Sequence, residues 1–419
     1  MQGPIARGTV RTSFVLGLRL VVQACTLLIV ARMLGPHQFG AFAGVAALAV
    51  MLGTLSTFGT HLVLLGEVSR EPSRRAQVFP YAVPTTLLFG GVLLAIYLLT
   101  CTLVLREADV SLGVLVAIGA AELWLQPLFG LPAAEHLGLG RIARSQLLTA
   151  LPLALRLLTA IAVLLSHPAN PLTAYACGYL LASVVALATA TATMSAPWPH
   201  IASWRLPTKT ELRGAAGYAA INVTAATPTE IDKTLATKFL PLATAGVYAA
   251  GARVISAVTL PVIAMMLASL PRLFREGNNQ SKLTRRLLRW IFSAAFAYSI
   301  VLAVMLWLIA PIFSFLFGTK YEGIQHMIQW LCLAIPGMAL RMAAGNVLMG
   351  LGKPWMRAAF ELVGLVTLLV AVVILTQRCG MIGMPLALAC SEWTMAMAGG
   401  LCIWLSQRHQ ATLATSDRR

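Results

Sequence analysis

The chain is divided into apolar runs, each long enough to cross about 30 Å of hydrocarbon as a helix. They fall at 12–34, 39–65, 79–105, 110–134, 146–166, 172–194, 214–239, 246–270, 290–316, 324–350, 358–376 and 384–406. Backbone polar groups in lipid must be satisfied within the segment that carries them, so runs of this length fold as helices. The expectation is an all-α integral membrane protein of about twelve transmembrane helices. Hydrophobic residues make up 58% of the 419 positions and charged ones 11%, with a mean hydropathy of +0.81. Nothing between the runs is long enough for a soluble domain.

The basic residues orient the spans, because Lys and Arg are retained on the cytoplasmic side. With the N-terminus inside, the inner segments hold Arg7, Arg11, Arg70, Arg74, Arg75, Arg141, Arg144, Arg205, Lys209, Arg213, the cluster from Arg272 to Arg289, Lys353, Arg357, Arg408, Arg418 and Arg419. The outer ends hold only Arg32, Arg106, Lys238, Lys320 and Arg378. Both termini are then cytoplasmic. The net charge of +17 is mostly this topological signal and calls for no nucleic acid. Segment 271–289, PRLFREGNNQSKLTRRLLR, is a candidate surface for anionic membrane lipids. The first run is too long for a cleaved signal peptide and carries Arg19. The seven cysteines lie mostly inside spans without metal-ligand spacing and read as small core residues.

The two halves resemble one another. Arg32, Leu34, Gly40, Phe42 and Ala43 recur as Lys238, Leu240, Gly246, Tyr248 and Ala249; LGEVSRE at 65–71 recurs in type as LPRLFRE at 270–276; the turn Gly138-Leu-Gly-Arg141 recurs as Gly350-Leu-Gly-Lys353. The matches keep their order at offsets of about 205 to 212, the mark of an internal repeat. Duplicated units of six spans give an N-terminal lobe at 1–206 and a C-terminal lobe at 207–419. An even number of spans per unit relates the lobes by a pseudo-twofold axis along the membrane normal, with a cavity between them and rocking of the bundles as the expected motion.

Ten ionisable residues interrupt the apolar runs: Arg19, Glu122, Arg156, Glu230, Asp232, Lys233, Arg253, Arg341, Glu361 and Glu392. A charge at bilayer depth costs several kcal/mol, so each should face protein or a wet cavity, and together they suggest handling of a charged substrate. Arg19 shares a helix face with Gln23 and either lines the inner cavity mouth or snorkels to the cytoplasm. In the seventh run Pro228 should kink the helix. Asn222, Thr229 and Lys233 share one face there, Glu230 reaches Lys233 at i+3, and Asp232 points to the other flank, so Asp232 and Lys233 should not simply pair. Glu122, with Gln126 on its face, and Glu392 are candidates for a coupling H⁺ or Na⁺, or for charge pairing between helices. Arg341 and Arg156 lie near mid-depth. Glu361 is close enough to the cytoplasmic end to be a boundary residue.

Three segments are similar to the polysaccharide-export branch of the multidrug/oligosaccharidyl-lipid/polysaccharide (MOP) exporter superfamily, which includes O-antigen flippases. They are ARMLGPHQFGAF at 31–42; INVTAATPTEIDKTLATKFLPLATAGVYAAGARVISAVTLPVIAMMLASLPRL at 221–273; and FGTKYEGIQHMIQWL at 317–331 through LMGLGKP at 348–354, followed by the Gly380 to Gly383 turn. The resemblance implies a two-lobed, non-enzymatic flippase in the bacterial inner membrane. Its substrate class would be an undecaprenyl-diphosphate-linked oligosaccharide moved from inner to outer leaflet, with polysaccharide polymerase machinery as a further partner. Arg253 sits at a position resembling the cavity arginine of lipid II flippases. It would contact the diphosphate, whose oxygens suit a guanidinium fork, or pair internally with Glu230 or Asp232. Candidate substrate-binding residues are therefore Arg19, Asn222, Lys233, Arg253 and Arg341; Glu122, Glu230, Asp232 and Glu392 are coupling or structural charges.

Enzymatic readings fail on inventory. Histidines are scattered, mostly in loops as with His136, and none pairs with Cys or a carboxylate at metal-ligand spacing. No phosphate-binding P-loop occurs, so no metal or cofactor is expected. The alternatives are a cation-coupled multidrug exporter of the same fold, disfavoured by Arg19 in the first lobe, and a glycan polymerase or ligase, disfavoured by the short outer loops.

Overall fold

A computed structural model describes residues 4–262, 282–351 and 353–416, and their side chains apart from those at 4–16, 221, 224–229, 282–287, 350, 354 and 407–416. The basic segment 271–281, the LPRLFRE repeat element and the Pro228 and Thr229 side chains lie outside the described residues.

The described chain is helical. In order the helices are α1 (Pro4–Ser56), α2 (Thr60–Arg70), α3 (Arg75–Leu103), α4 (Leu112–Ala120), a π-helical turn (Ala121–Leu125), α5 (Gln126–Gly138), α6 (Ile142–Ser166), α7 (Pro171–Ala192), α8 (Lys209–Phe239) and α9 (Leu242–Val258). There follow α10 (Lys282–Phe317), α11 (Ile324–Leu331), α12 (Ala334–Gly350), α13 (Pro354–Cys379) and α14 (Gly383–Ser416).

Among the described residues nine helical stretches are long and apolar enough to cross a membrane. Two of these are doubles. Gly17–Ser56, at 40 residues, is twice the length a bilayer needs and breaks at Gly35, whose φ of 68° precedes Pro36. Trp355–Ser406, at 52 residues, folds back at the turn Gly380–Ile382. The remaining span is α8, less apolar because Asn222, Glu230, Asp232 and Lys233 lie on it; its backbone is helical through position 228. The expected spans thus map onto helices.

Two runs differ in detail. The second ends at Ser56, turns through Phe58 and Gly59 at positive φ, and restarts as α2. Gly59 packs on α8 so closely that a Cβ would lie 2.5 Å from the Ala215 carbonyl oxygen, which only glycine permits. The tenth run is interrupted at Cys332 and Leu333, because Pro336 has no N–H to give the Cys332 carbonyl.

Contacts group the residues into two compact units, Met1–Lys238 and Phe239–Arg419. Within the first, α8 lies on α1: Thr234 and Thr237 donate to the carbonyls of Gly44 and Gly40, each at 3.1 Å. Within the second, Ser391 on α14 donates to the Gly364 carbonyl on α13 at 2.7 Å. Small residues at these crossings let backbones approach, which is how helices associate without a hydrophobic driving force between them. One matched pair of turns also has matched bonding. Leu139 and Arg141 N–H donate to Glu135 and His136 carbonyls, as Leu351 and Lys353 donate to Val347 and Leu348, each at 2.9 Å.

Candidate functional site

The first unit carries a buried charge cluster at mid-span. Glu122 sits in the π-helical turn, a widened turn that displaces side chains from ordinary register and is frequent at functional positions. Its Oε1 accepts from Arg156 Nη2 on α6 at 2.8 Å and from the Tyr179 hydroxyl on α7. The Arg156 guanidinium also lies 3.8 Å from the Tyr179 ring centroid. Backbones grip the turn from two sides. A Cβ at Gly53 on α1 would stand 2.6 Å from the Glu122 carbonyl oxygen, and one at Gly90 on α3 would stand 2.5 Å from that of Leu123. The pairing reading for Glu122 describes this geometry; Tyr179 was not anticipated, although a tyrosine inside an apolar span needs a partner for its hydroxyl.

The second unit has a comparable pair. Arg341 Nε on α12 donates to Glu392 Oε2 on α14 at 2.6 Å, with both side chains buried. Glu361 is 3% exposed and accepts from Arg357 Nε at 3.0 Å; one helical turn brings Arg357 over it and allows burial.

On α8, Lys233 is 2% exposed and its Nζ lies 3.4 Å from Glu230 Oε2 and 3.2 Å from Asp232 Oδ1. The expected Glu230 contact is present, and the expected separation of Asp232 from Lys233 is not. Adjacent side chains leave a helix about 100° apart, but the flexible four-carbon lysine stem curls across that angle when burial rewards pairing. Asn222 on the same helix is half-buried and meets His61 Nε2 at 3.5 Å, while His61 Nδ1 contacts Thr57 Oγ1 at 2.7 Å.

Arg19 is half-buried on α1, and its Nη1 reaches Gln146 Oε1 on α6 at 3.5 Å; no carboxylate lies within ion-pair distance of it among the described residues. Gln23 is exposed. Arg253 is exposed on α9 while Gly251, Ala252, Val254 and Ile255 around it are buried.

Sequence reasoning missed a network at the C-terminal end of α5. Glu135 and His136 close α5 rather than lying in a loop, and they are 1% and 0% exposed. Arg75 Nε bonds Glu135 Oε1 at 3.0 Å, Ser195 donates to the same oxygen, and Arg75 Nη2 donates to the Ala196 carbonyl at 2.7 Å. The Glu-His pair directly after an apolar run was the only sequence signal. Nearby, Arg205 and Thr208 hold the Glu211 carboxyl down at about 2. The Arg75–Glu135 pair joins two segments expected on one side, and Lys238 reaches Glu107 at 3.6 Å between two segments expected on the other. Among the described residues no group of three His, Cys, Asp or Glu could hold a metal.

The family described as polysaccharide biosynthesis protein matches residues 5–276. The chain belongs to that family. No curated protein matches it by sequence at a significant level. The fold of this family member is similar to that of an inward-facing multidrug resistance MATE family transporter of the MOP superfamily, at TM-score 0.77 and 15% identity over 95% of this chain and 96% of that one. It is also similar to the lipid II flippase MurJ in an inward closed conformation, at TM-score 0.72 and 11% identity over 94% and 87%. A MOP superfamily transporter from Pyrococcus furiosus matches at TM-score 0.62 and 14% identity over 94% and 95%. At these identities the likeness establishes the all-α MOP transporter fold.

Proposed function

We propose that this protein is a flippase that moves a lipid-linked oligosaccharide, carried on undecaprenyl diphosphate, from the inner to the outer leaflet of a bacterial inner membrane by alternating access. The duplicated lobes at 1–206 and 207–419 provide the moving bodies, no bond is made or broken, and the product feeds surface polysaccharide or lipopolysaccharide assembly. The observation that carries the reading is Arg19. A guanidinium half-buried in an apolar helix, facing a neutral amide and, among the described residues, no carboxylate, invites an anion.

In this reading Arg19, with Asn222 and His61 on neighbouring helices, meets the diphosphate toward the inner side, and Arg253 meets it toward the outer side. Glu122 with Arg156 and Arg341 with Glu392 act as internal ion pairs. A coupling H⁺ or Na⁺ at either carboxylate would compete with a guanidinium already at 2.8 or 2.6 Å. Lys233 contacts substrate only by leaving two acids, so its first role is to balance them.

The test is restoration of surface polysaccharide in a flippase-deficient strain by the wild-type chain and loss of that restoration in Arg19→Ala at equal protein level. Restoration by Arg19→Ala at the wild-type level overturns the substrate contact. A second reading, a cation-coupled multidrug exporter, draws on the MATE likeness and on the two acids beside Lys233. It predicts efflux of cationic dyes and no polysaccharide restoration.

A further inference from the structure

Between α7 and α8 the chain forms a strap that is tied down by hydrogen bonds and exposes two large apolar side chains. Ser195 and Ala196 are bonded to Glu135 and Arg75 as described, Arg205 N–H donates to the Pro80 carbonyl at 3.0 Å, and the Arg205 guanidinium lies 4.9 Å from the Tyr81 ring centroid. Trp198 donates to Thr191 at 3.0 Å, and Trp204 to the Pro199 carbonyl at 3.2 Å. On this mount Ile201 is 72% exposed and Leu206 67% exposed, outside every apolar span. In water two such side chains forfeit the transfer free energy that burial supplies.

The strap runs from the end of one membrane helix, Ala192, to the start of another, Lys209, which places it where the hydrocarbon ends. Half-buried tryptophans beside it fit the same level. Lys209 and Arg213 follow it and are exposed; no ion pair is formed by either among the described residues, whereas Arg205 is bound to Glu211 at 2.6 Å. Apolar side chains beside unpaired cations match the boundary between acyl chains and anionic head groups.

We propose that segment 196–213 is an interfacial anchor: Ile201 and Leu206 enter the edge of the acyl region, and Lys209 and Arg213 hold anionic phospholipid head groups. The network through Arg75, Glu135 and Arg205 keeps the anchor ordered before lipid arrives, so binding loses little conformational freedom. The inference does not depend on what the protein transports.

The test places p-benzoylphenylalanine at 201 or 206 in the full chain, reconstituted in phosphatidylethanolamine vesicles containing phosphatidylglycerol, and identifies photo-adducts by mass spectrometry. Phospholipid adducts are expected at both positions, with phosphatidylglycerol enriched over its molar share. Lys209→Gln and Arg213→Gln should lower that enrichment about fivefold per charge without lowering total adduct yield. Adducts to a second polypeptide, or none to lipid at either position, overturn the anchor. Enrichment that survives the double variant overturns the head-group assignment.

Discussion

At the scale of single residues, the buried cations differ in what surrounds them, and the difference sorts their variants. Among the described residues Arg19 has only an amide partner, so Arg19→Ala should leave the fold intact and reduce export by at least about tenfold, the worth of one charge-assisted hydrogen bond. Arg19→Lys should recover part of it, because lysine keeps the charge and loses the two-pronged fork. Lys233 sits between two acids. Lys233→Met should therefore destabilise by about 3–5 kcal/mol, since it removes one member of a buried ion pair, and adding Glu230→Gln should recover stability rather than cost more. Additive losses in that double-mutant cycle, read as melting temperature in detergent, would exclude the pairing. Glu211 responds to pH. Its folded carboxyl titrates at about 2, below the ordinary value near 4.5, through hydrogen bonds from Arg205 and Thr208. The contact's stabilisation is complete above about pH 4.5 and is lost as pH falls toward 2. The stability gap between wild type and Glu211→Gln should narrow over that interval.

Elements meet through glycines, and the π-helical turn meets two of them, Gly53 and Gly90, through its backbone. Gly53→Ala should destabilise by about 1–3 kcal/mol, because the added methyl meets the Glu122 carbonyl oxygen at 2.6 Å and a backbone atom cannot swing aside. Gly113→Ala has nothing within 4 Å of its Cβ and should be neutral or slightly stabilising, as alanine in a helix is favoured over glycine. Thermal unfolding of the two variants side by side checks the contrast. Equal effects would mean that the turn is free to move away from α1. Glu122 reaches both Arg156 and Tyr179 because α6 and α7 bring a guanidinium and a hydroxyl to the same carboxylate oxygen.

For the molecule as a whole, the proposed cargo has about two negative charges and leaves a negative cytoplasm. Each charge gains roughly 2.3 kcal/mol per 100 mV, so about 4–5 kcal/mol is available if both cross unaccompanied. Vesicles holding the protein and substrate, given a potassium-valinomycin potential without a pH or Na⁺ gradient, should expose the lipid to an outside reagent faster when the inside is negative. Rates indifferent to the potential would mean that charge is compensated during transport.

Span number and helical class are properties of the sequence, because lipid forces each long apolar run to satisfy its own backbone. The break at Gly35-Pro36 and the reach of Glu230 to Lys233 belong there too, being fixed within one or two helical turns. Partnerships between distant residues do not. Arg156 with Glu122 and Tyr179, Arg341 with Glu392, and Arg75 with Glu135 and Ser195 join helices whose relative rotation no local pattern specifies. Asp232 shows the limit within a single helix, where backbone directions alone placed it away from Lys233 and side-chain flexibility under burial brought the two together. Only packing decides which charge meets which, since a buried ion is stabilised by the particular partner that the tertiary fold delivers to it.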